Sequence, residues 1–266
     1  PGTAESWISS NNNTIYIFNI RSNAKWTDGV PVRANDFVYA WKRIVDPKSG
    51  SSYSIYLDVI KNAHDIILGN MDKDKLSVKA LDDNTLYVEL EYPAPYFPEL
   101  ITHTSYTPLR EDIVSKNEYG WTLSAETMIG NGAFKLVKWE HDLRITMQKN
   151  TNYWNYESVK PDIINFELID DVNTAMAGIL NEDIYFYKTT PPNDRERLIK
   201  EGIAKVVPNI SLYFYEVDHR KKPFNDARVR KAISLAIDRD YIVNTIMKAG
   251  EIPAAAIVPY DIKDAD

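Results

Sequence analysis

Four histidines, His64, His103, His141 and His219, are scattered along the chain, and none falls in an H-x-x-x-H or similar spacing that would set two imidazoles on one metal. There is no cysteine, which excludes disulfide, zinc-thiolate, iron–sulfur and thiol-nucleophile chemistry. No G-x-S-x-G elbow or G-x-x-x-x-G-K-[ST] loop occurs. Gly130-Asn131-Gly132 looks like part of a glycine loop, but it precedes a strand pattern and not a helix, so it does not suit phosphate cradling. The carboxylate pairs Asp82-Asp83 and Asp170-Asp171 sit where a hairpin turn and a helix cap are expected. The residues therefore predict no catalytic centre, no metal and no cofactor. Aromatic side chains are what the chain has in quantity: 17 Tyr, 6 Trp and 8 Phe, 12% of all residues. Tyr and Trp join an apolar body to a polar tip, which suits ligand clefts as well as cores.

The elements that must position them are mixed. Residues 14–20 read as a strand after a Ser-Ser-Asn-Asn-Asn turn, and Asp28-Gly29 marks a second turn. Phe37, Val38, Trp41, Ile44 and Val45 recur at helical spacing up to Asp46-Pro47. A polar loop with embedded aromatics spans 48–57, and a helix follows over 58–68. Val78–Leu81 and Thr85–Leu90 flank Asp82-Asp83-Asn84 as a hairpin, and the prolines of 92–98 prevent a central strand there. Beyond 121, a pair of strands runs from Ala133 to Trp139 and back along Arg144–Lys149, with another at Ile163–Leu168. Asp171 caps a helix with the stripe Val172, Ala175, Met176, Ile179 and Leu180. Strands are predicted at 183–187 and 212–217, with a helix near 193–201 between them. Asn225-Asp226 caps a helix carrying Val229, Ala232, Ile233, Ala236 and Ile237. A further helix follows Asp238, then Pro/Asp-rich coil over 250–266.

With 266 residues, 44% hydrophobic and 26% charged, the chain can bury a real core in one large or two smaller domains at roughly 150 residues each. Its formal charge of −7 argues against nucleic-acid or anionic-membrane binding through a general basic field. No apolar run approaches the ~20 residues of a membrane span. Pro1-Gly2-Thr3-Ala4-Glu5 has neither an initiator Met nor signal-peptide character, so the chain is read as a mature or truncated piece.

Five blocks, in order and over nearly the whole chain, resemble the solute-binding proteins of peptide-type ABC importers, most of all the oligopeptide-binding ones (extracellular solute-binding protein family 5). Ala4-Glu5-Ser6-Trp7 with Tyr16–Arg21 is similar to "A-E-x-W … Y-x-F-x-L-R". Trp26-Thr27-Asp28-Gly29-Val30-Pro31-Val32 resembles "W-x-D-G-x-P-V", and Asp36–Trp41 the helix that follows it. Asn131–Leu136, Trp139 and Asn152-Tyr153-Trp154 resemble "G-x-Y-x-L … W … N-x-x-Y-W". Pro223–Ala232, ending in Ala236-Ile237-Asp238-Arg239, is the most specific block. Two positions depart from the family. Arg33 stands where Thr often precedes the first helix, leaving Asn35 or no residue as its cap. Asn181-Glu182-Asp183-Ile184 replaces a Gly-Glu-Ile-Asp-like turn.

The resemblance implies an α/β, periplasmic-binding-protein-like class II fold of two lobes with an inserted domain, incomplete in this chain. Residues 1–120 would be the inserted α+β domain, 121–222 part of lobe one, and 223–266 the start of lobe two. It implies a non-enzymatic, extracytoplasmic protein, periplasmic or held at the cell surface as a lipoprotein, that captures short peptides for ABC permease transmembrane subunits. No nucleic acid partner is expected, and membrane contact only through a lipid anchor outside these residues. The same fold with dipeptides, nickel chelates or oligosaccharides, or a peptide-pheromone receptor, is the alternative; a hydrolase is the remaining class. The implied ligand-binding residues are Tyr53, Tyr187, Lys188, Thr189, Tyr213, Phe214, Tyr215 and Glu216, with Trp26, Trp41, Trp139 and Trp154 assigned to packing.

Overall fold

The computed structural model describes residues 2–207 and 209–257. Most of the coil expected over 250–266 thus lies outside the described residues. The chain divides into two compact units, Pro1–Leu168 and Ile169–Asp266. Both helices and antiparallel strands are present, as the mixed composition predicts.

In the first unit, β1 (Ala4–Ser10), β2 (Ile15–Ile20), β3 (Val78–Ala80) and β4 (Thr85–Glu89) form a sheet in the order β1-β2-β4-β3. Alternation in β2 buries Tyr16, Phe18 and Ile20, and register sets Tyr16 opposite Val88 and Phe18 opposite Leu86. Helix α1 (Ala34–Val45) lays Val38, Trp41 and Val45 in the same core. Phe97 packs against Tyr16 and Phe18 at ring separations of 5.1 and 6.2 Å. The buried polar tips find carbonyls: the Tyr16 hydroxyl donates to Ala94 (2.8 Å) and the Trp41 indole to Tyr106 (2.9 Å). The hairpin at 82–84 forms as expected, its Asp82 accepting the Asn84 N–H at 2.8 Å. Strand β1 has no apolar alternation to betray it, because it is an edge strand with mostly exposed side chains. It reaches β2 through Asn11, Asn12 and Asn13, all left-handed (φ 50, 54 and 59°), the conformation that Asn tolerates best after Gly.

The cap of α1 is neither Asn35 nor missing. Asp36, in the first turn, accepts the Arg33 backbone N–H at 2.9 Å, half of a capping box. The same oxygen accepts the N–H of the buried Trp26 indole at 3.0 Å. The turn between them places Gly29 at φ 87° and closes with Trp26 N–H to Val30 (2.8 Å) and Val32 N–H to Ala24 (2.9 Å). Arg110 reaches Asp28 at 3.0 Å and holds Asp112 with two contacts of 2.6 and 2.7 Å.

A second sheet, β5 (Phe134–Glu140), β6 (Arg144–Lys149) and β7 (Ile163–Glu167), completes this unit. Its Asn150 is buried, its side chain donating to the Gly132 carbonyl (2.9 Å) and accepting from the Asn152 N–H (3.0 Å). The turn carrying Trp26 is tied to this sheet. Thr27 donates its N–H to Gly130 (2.8 Å), and the Asn152 side chain donates to the Thr27 carbonyl (3.2 Å). Of the tryptophans assigned to packing, Trp26 and Trp41 are buried; Trp139 and Trp154 are half-buried, Trp154 beneath the Arg21 guanidinium at 4.0 Å.

In the second unit, α2 (Val172–Leu180), α3 (Arg195–Lys200) and α4 (Ala227–Ala236) are the main helices. Asp171 and Asp226 cap the first and last as expected, accepting Thr174 N–H (2.7 Å) and Arg228 N–H (2.8 Å). Glu182 takes the left-handed position (φ 63°) that ends the first of them. The strands predicted at 183–187 and 212–217 do not form; both segments are irregular. Their composition favours a pleated surface, but a strand exists only once a partner accepts its ladder, and none does so among the described residues. Among the described residues no helix is long and apolar enough to cross a membrane.

Replacing Asp36 by Ala removes the cap and strands a buried indole N–H, so the expected loss is about 2–4 kcal/mol in urea unfolding followed by tryptophan fluorescence. Asp36→Asn, which keeps an acceptor oxygen, is expected to lose about half as much. A pH prediction follows from Asp46 and Asp112. Their carboxyls are held below the ordinary range, Asp46 chiefly by the Lys73 hydrogen bond and Asp112 by that from Arg110. Groups lowered on folding add stability above their unfolded pKa and lose it as pH falls through the folded value. The urea midpoint is therefore expected to fall below about pH 4. It should fall less steeply in Asp46→Asn.

Candidate functional site

The aromatic positions divide between the two units. In the first, Tyr53 precedes a single tight turn, Ser54–Leu57. Three residues per turn eclipse side chains at i and i+3, which sets Tyr56 beside Tyr53. Their rings stack at 6.0 Å with 22° between planes. His103, fifty residues on in the fold's other connection, stacks on Tyr56 at 4.3 Å and lies 5.7 Å from Tyr53. Its Nδ1 meets the Ser105 hydroxyl at 2.8 Å and accepts the Ser105 N–H, so the ring is fixed in orientation. Below the stack, the buried Tyr106 donates its hydroxyl to the Tyr56 carbonyl, and burial holds that phenol well above the ordinary range. Tyr53 is 54% exposed and Tyr56 42%, so the three rings form a braced, open platform and not a core.

In the second unit the expected residues are presented differently. Tyr187 is half-buried, while Lys188 and Thr189 are exposed. Tyr213, Phe214 and Tyr215 are 94%, 65% and 79% exposed, and Glu216 is exposed beside them. Residues 187–189 and 213–216 share no ladder; where strands were expected at 183–187 and 212–217, both are open segments of irregular backbone. No sheet exists here across which these aromatics could alternate between a core and an open face.

The structure thus adds Tyr56 and His103 to Tyr53. The spacing Tyr53-x-x-Tyr56 was a visible signal for one. His103 left no local signal, because its contact is made by tertiary packing. The platform offers π-faces and an imidazole edge, suited to planar or apolar side chains and to peptide groups. Among the described residues no three His, Cys, Asp or Glu stand close enough to hold a metal ion.

Comparison with known proteins gives this geometry a context. The family model described as "Bacterial extracellular solute-binding proteins, family 5 Middle" matches residues 1–266. The periplasmic oligopeptide-binding protein OppA of Salmonella typhimurium is 39% identical over 267 residues, covering 97% of this chain and 48% of that protein. The dipeptide-binding protein DppE of Bacillus subtilis is 38% identical over 258 residues, 97% of this chain and 47% of that protein. The crystal structure of Haemophilus influenzae OppA in complex with the peptide RPPGFSPFR superimposes with a TM-score of 0.91 at 34% identity, covering 98% of this chain and 52% of that one. The chain spans about half the length of the curated relatives it matches.

A platform residue should be cheap to remove from the fold. Tyr53→Ala is expected to lower unfolding stability by less than about 1.5 kcal/mol, the scale of an aromatic pair. Trp41→Ala in the core should cost about 3–5 kcal/mol. Urea titrations of the two variants beside the parent chain give both numbers.

Proposed function

The chain belongs to the bacterial extracellular solute-binding proteins of family 5, and from that premise we propose that it supplies part of an extracytoplasmic receptor that captures oligopeptides for an ABC importer without chemical change. The observation that carries this reading is the match along the whole chain to relatives named for peptide binding, one of them solved with a nonapeptide in place. The geometry supports it. An extended peptide presents alternating donors and acceptors, which unladdered backbone can satisfy whatever the side chains are. Residues 212–217 are such a segment among the described residues. Tyr53, Tyr187, Lys188, Thr189, Tyr213, Phe214, Tyr215 and Glu216 would be the residues that contact the ligand.

The domain reading belongs to the same proposal: 1–120 an inserted domain, 121–222 part of lobe one, 223–266 the start of lobe two. Closure of lobes about a hinge would capture the peptide, and docking on permease subunits would deliver it. The receptor would work in the periplasm, or at the cell surface on a lipid anchor. Dipeptides are a second cargo, favoured by the 38% identity to a dipeptide-binding relative.

The test uses a chain of the relatives' full length that carries these residues. A pool of tri- to pentapeptides is expected to raise its melting temperature, equivalent to about 2.7 kcal/mol at a hundredfold excess over Kd. Maltodextrins and nickel should leave it unchanged. Tyr53→Ala and Tyr213→Ala should each weaken peptide binding with little change in the unliganded melting temperature. Stabilisation by a sugar or by nickel but not by peptides overturns the reading.

A further inference from the structure

Gly130-Asn131-Gly132, unsuited to cradling phosphate, carries a different chemistry in the order of its residues. Asn131 is the only asparagine of the chain that is followed by glycine. A carboxamide can be attacked by the backbone nitrogen of the next residue, and glycine there has no Cβ to obstruct the approach. The structure leaves that nitrogen uncommitted. The Gly130 carbonyl accepts the Thr27 N–H at 2.8 Å and the Gly132 carbonyl accepts the Asn150 side chain at 2.9 Å. Between them, the Gly132 N–H has no acceptor among the described residues. Gly132 is exposed, and no atom lies within 4 Å of where its Cβ would stand. Asn131 is half-buried, its Nδ2 donating to the Thr3 hydroxyl at 3.1 Å. Breaking that one bond to turn the carboxamide slows the attack by about tenfold at most. The chain's Asp28-Gly29 pair shows the protected arrangement. There the Gly29 N–H donates to the Trp26 carbonyl (2.9 Å), and the Asp28 carboxylate accepts from Arg110 (3.0 Å) and the Val30 N–H (3.1 Å). Both groups that would have to meet are occupied.

We propose that Asn131-Gly132 is a site of spontaneous covalent modification in the folded chain, converting Asn131 to aspartate and isoaspartate. The Gly132 nitrogen gives its proton to water and bonds to the Asn131 Cγ, closing a five-membered succinimide. The Cγ–Nδ2 bond breaks, and the nitrogen leaves as ammonia with the proton it needs from water. A water molecule then adds to one of the two ring carbonyls and the C–N bond at that carbon breaks. Opening at Cγ leaves aspartate; opening at the main-chain carbon leaves isoaspartate. No oxidant or reductant takes part, and the balance is one water in and one ammonia out. The isoaspartate product has an extra methylene in the backbone between Gly130 and Gly132. The Thr27–Gly130 and Asn150–Gly132 hydrogen bonds are set to the shorter spacing, so the link between the Trp26 turn and the second sheet loosens. None of this depends on what the protein binds.

The experiment ages the folded 266-residue chain in mildly alkaline buffer, digests it at intervals and follows amide-to-acid conversion at each asparagine by peptide mass spectrometry. Chromatography of the same peptide separates aspartate from isoaspartate. Asn131 is expected to convert fastest of all the asparagines, with both products present. Gly132→Ala should slow the conversion by on the order of tenfold or more. That variant keeps the fold, because the added Cβ meets open space and the residue's φ lies outside the left-handed region. In the isoaspartate fraction, the Thr27 amide should exchange with solvent faster than in the fresh chain. Conversion at Asn131 that is no faster than at the other asparagines, that keeps the parent rate in Gly132→Ala, or that proceeds only in urea-unfolded chain overturns the assignment. Unchanged Thr27 exchange in the isoaspartate fraction overturns the loosening of the link.

Discussion

A carboxylate beside a buried indole must accept hydrogen bonds or give up its charge, and the first unit is organised around how Asp36 meets that constraint. Burial raises the pKa of its carboxyl, while the hydrogen bonds from the Arg33 backbone and Trp26 pull it back down. One side-chain oxygen thereby fixes where α1 begins and how the 24–32 turn lies against it. The backbone carbonyl of the same residue accepts the Leu109 N–H at 3.2 Å, bringing in the segment on which Arg110 stands. Once α1 is placed, Val38, Trp41 and Val45 follow at helical spacing onto the face made by Tyr16 and Phe18. The W-x-D-G-x-P-V pattern is then intelligible as packing chemistry. Its Trp is the donor, its Asp an ion-pair partner for Arg110, and its Gly the residue that can hold φ 87°.

Elements whose signal is local were legible before any coordinates. Alternation over 15–20, the helical spacing of 37–45, the Asp-rich hairpin at 82–84 and the aspartate caps at 171 and 226 all appear where the residues put them. Signals that require a distant partner were not. Residues 183–187 and 212–217 carry the aromatics of strands, but strand character is completed by a neighbour's backbone, which no single segment contains. The α1 cap departs from expectation for a related reason. An acceptor is expected at the cap position, and here it sits three residues inside and reaches back. Strand β1 escaped notice because an exposed edge has no reason to alternate.

The candidate ligand surfaces illustrate two ways of exposing an aromatic ring. Tyr53 is held by a turn, by its neighbour Tyr56 and by an oriented imidazole, so much of the conformational entropy of its rotamers is spent before any ligand arrives. Tyr213 and Tyr215 project from irregular backbone with most of their surface open, and would lose that freedom on binding. The first kind of site favours selectivity for ring shape. The second tolerates varied partners at a lower affinity per contact.

The ties between the Trp26 turn and the second sheet also have a kinetic meaning. Thr27 N–H is bonded to Gly130, and Thr27's carbonyl to the side chain of Asn152, whose neighbour Asn150 is anchored in the strand connections around it. The Thr27 amide can meet solvent only when the 24–32 turn and the 130–152 region part company. Hydrogen exchange at Thr27 is therefore expected to be slow for a residue in a turn, where rapid exchange is the ordinary expectation.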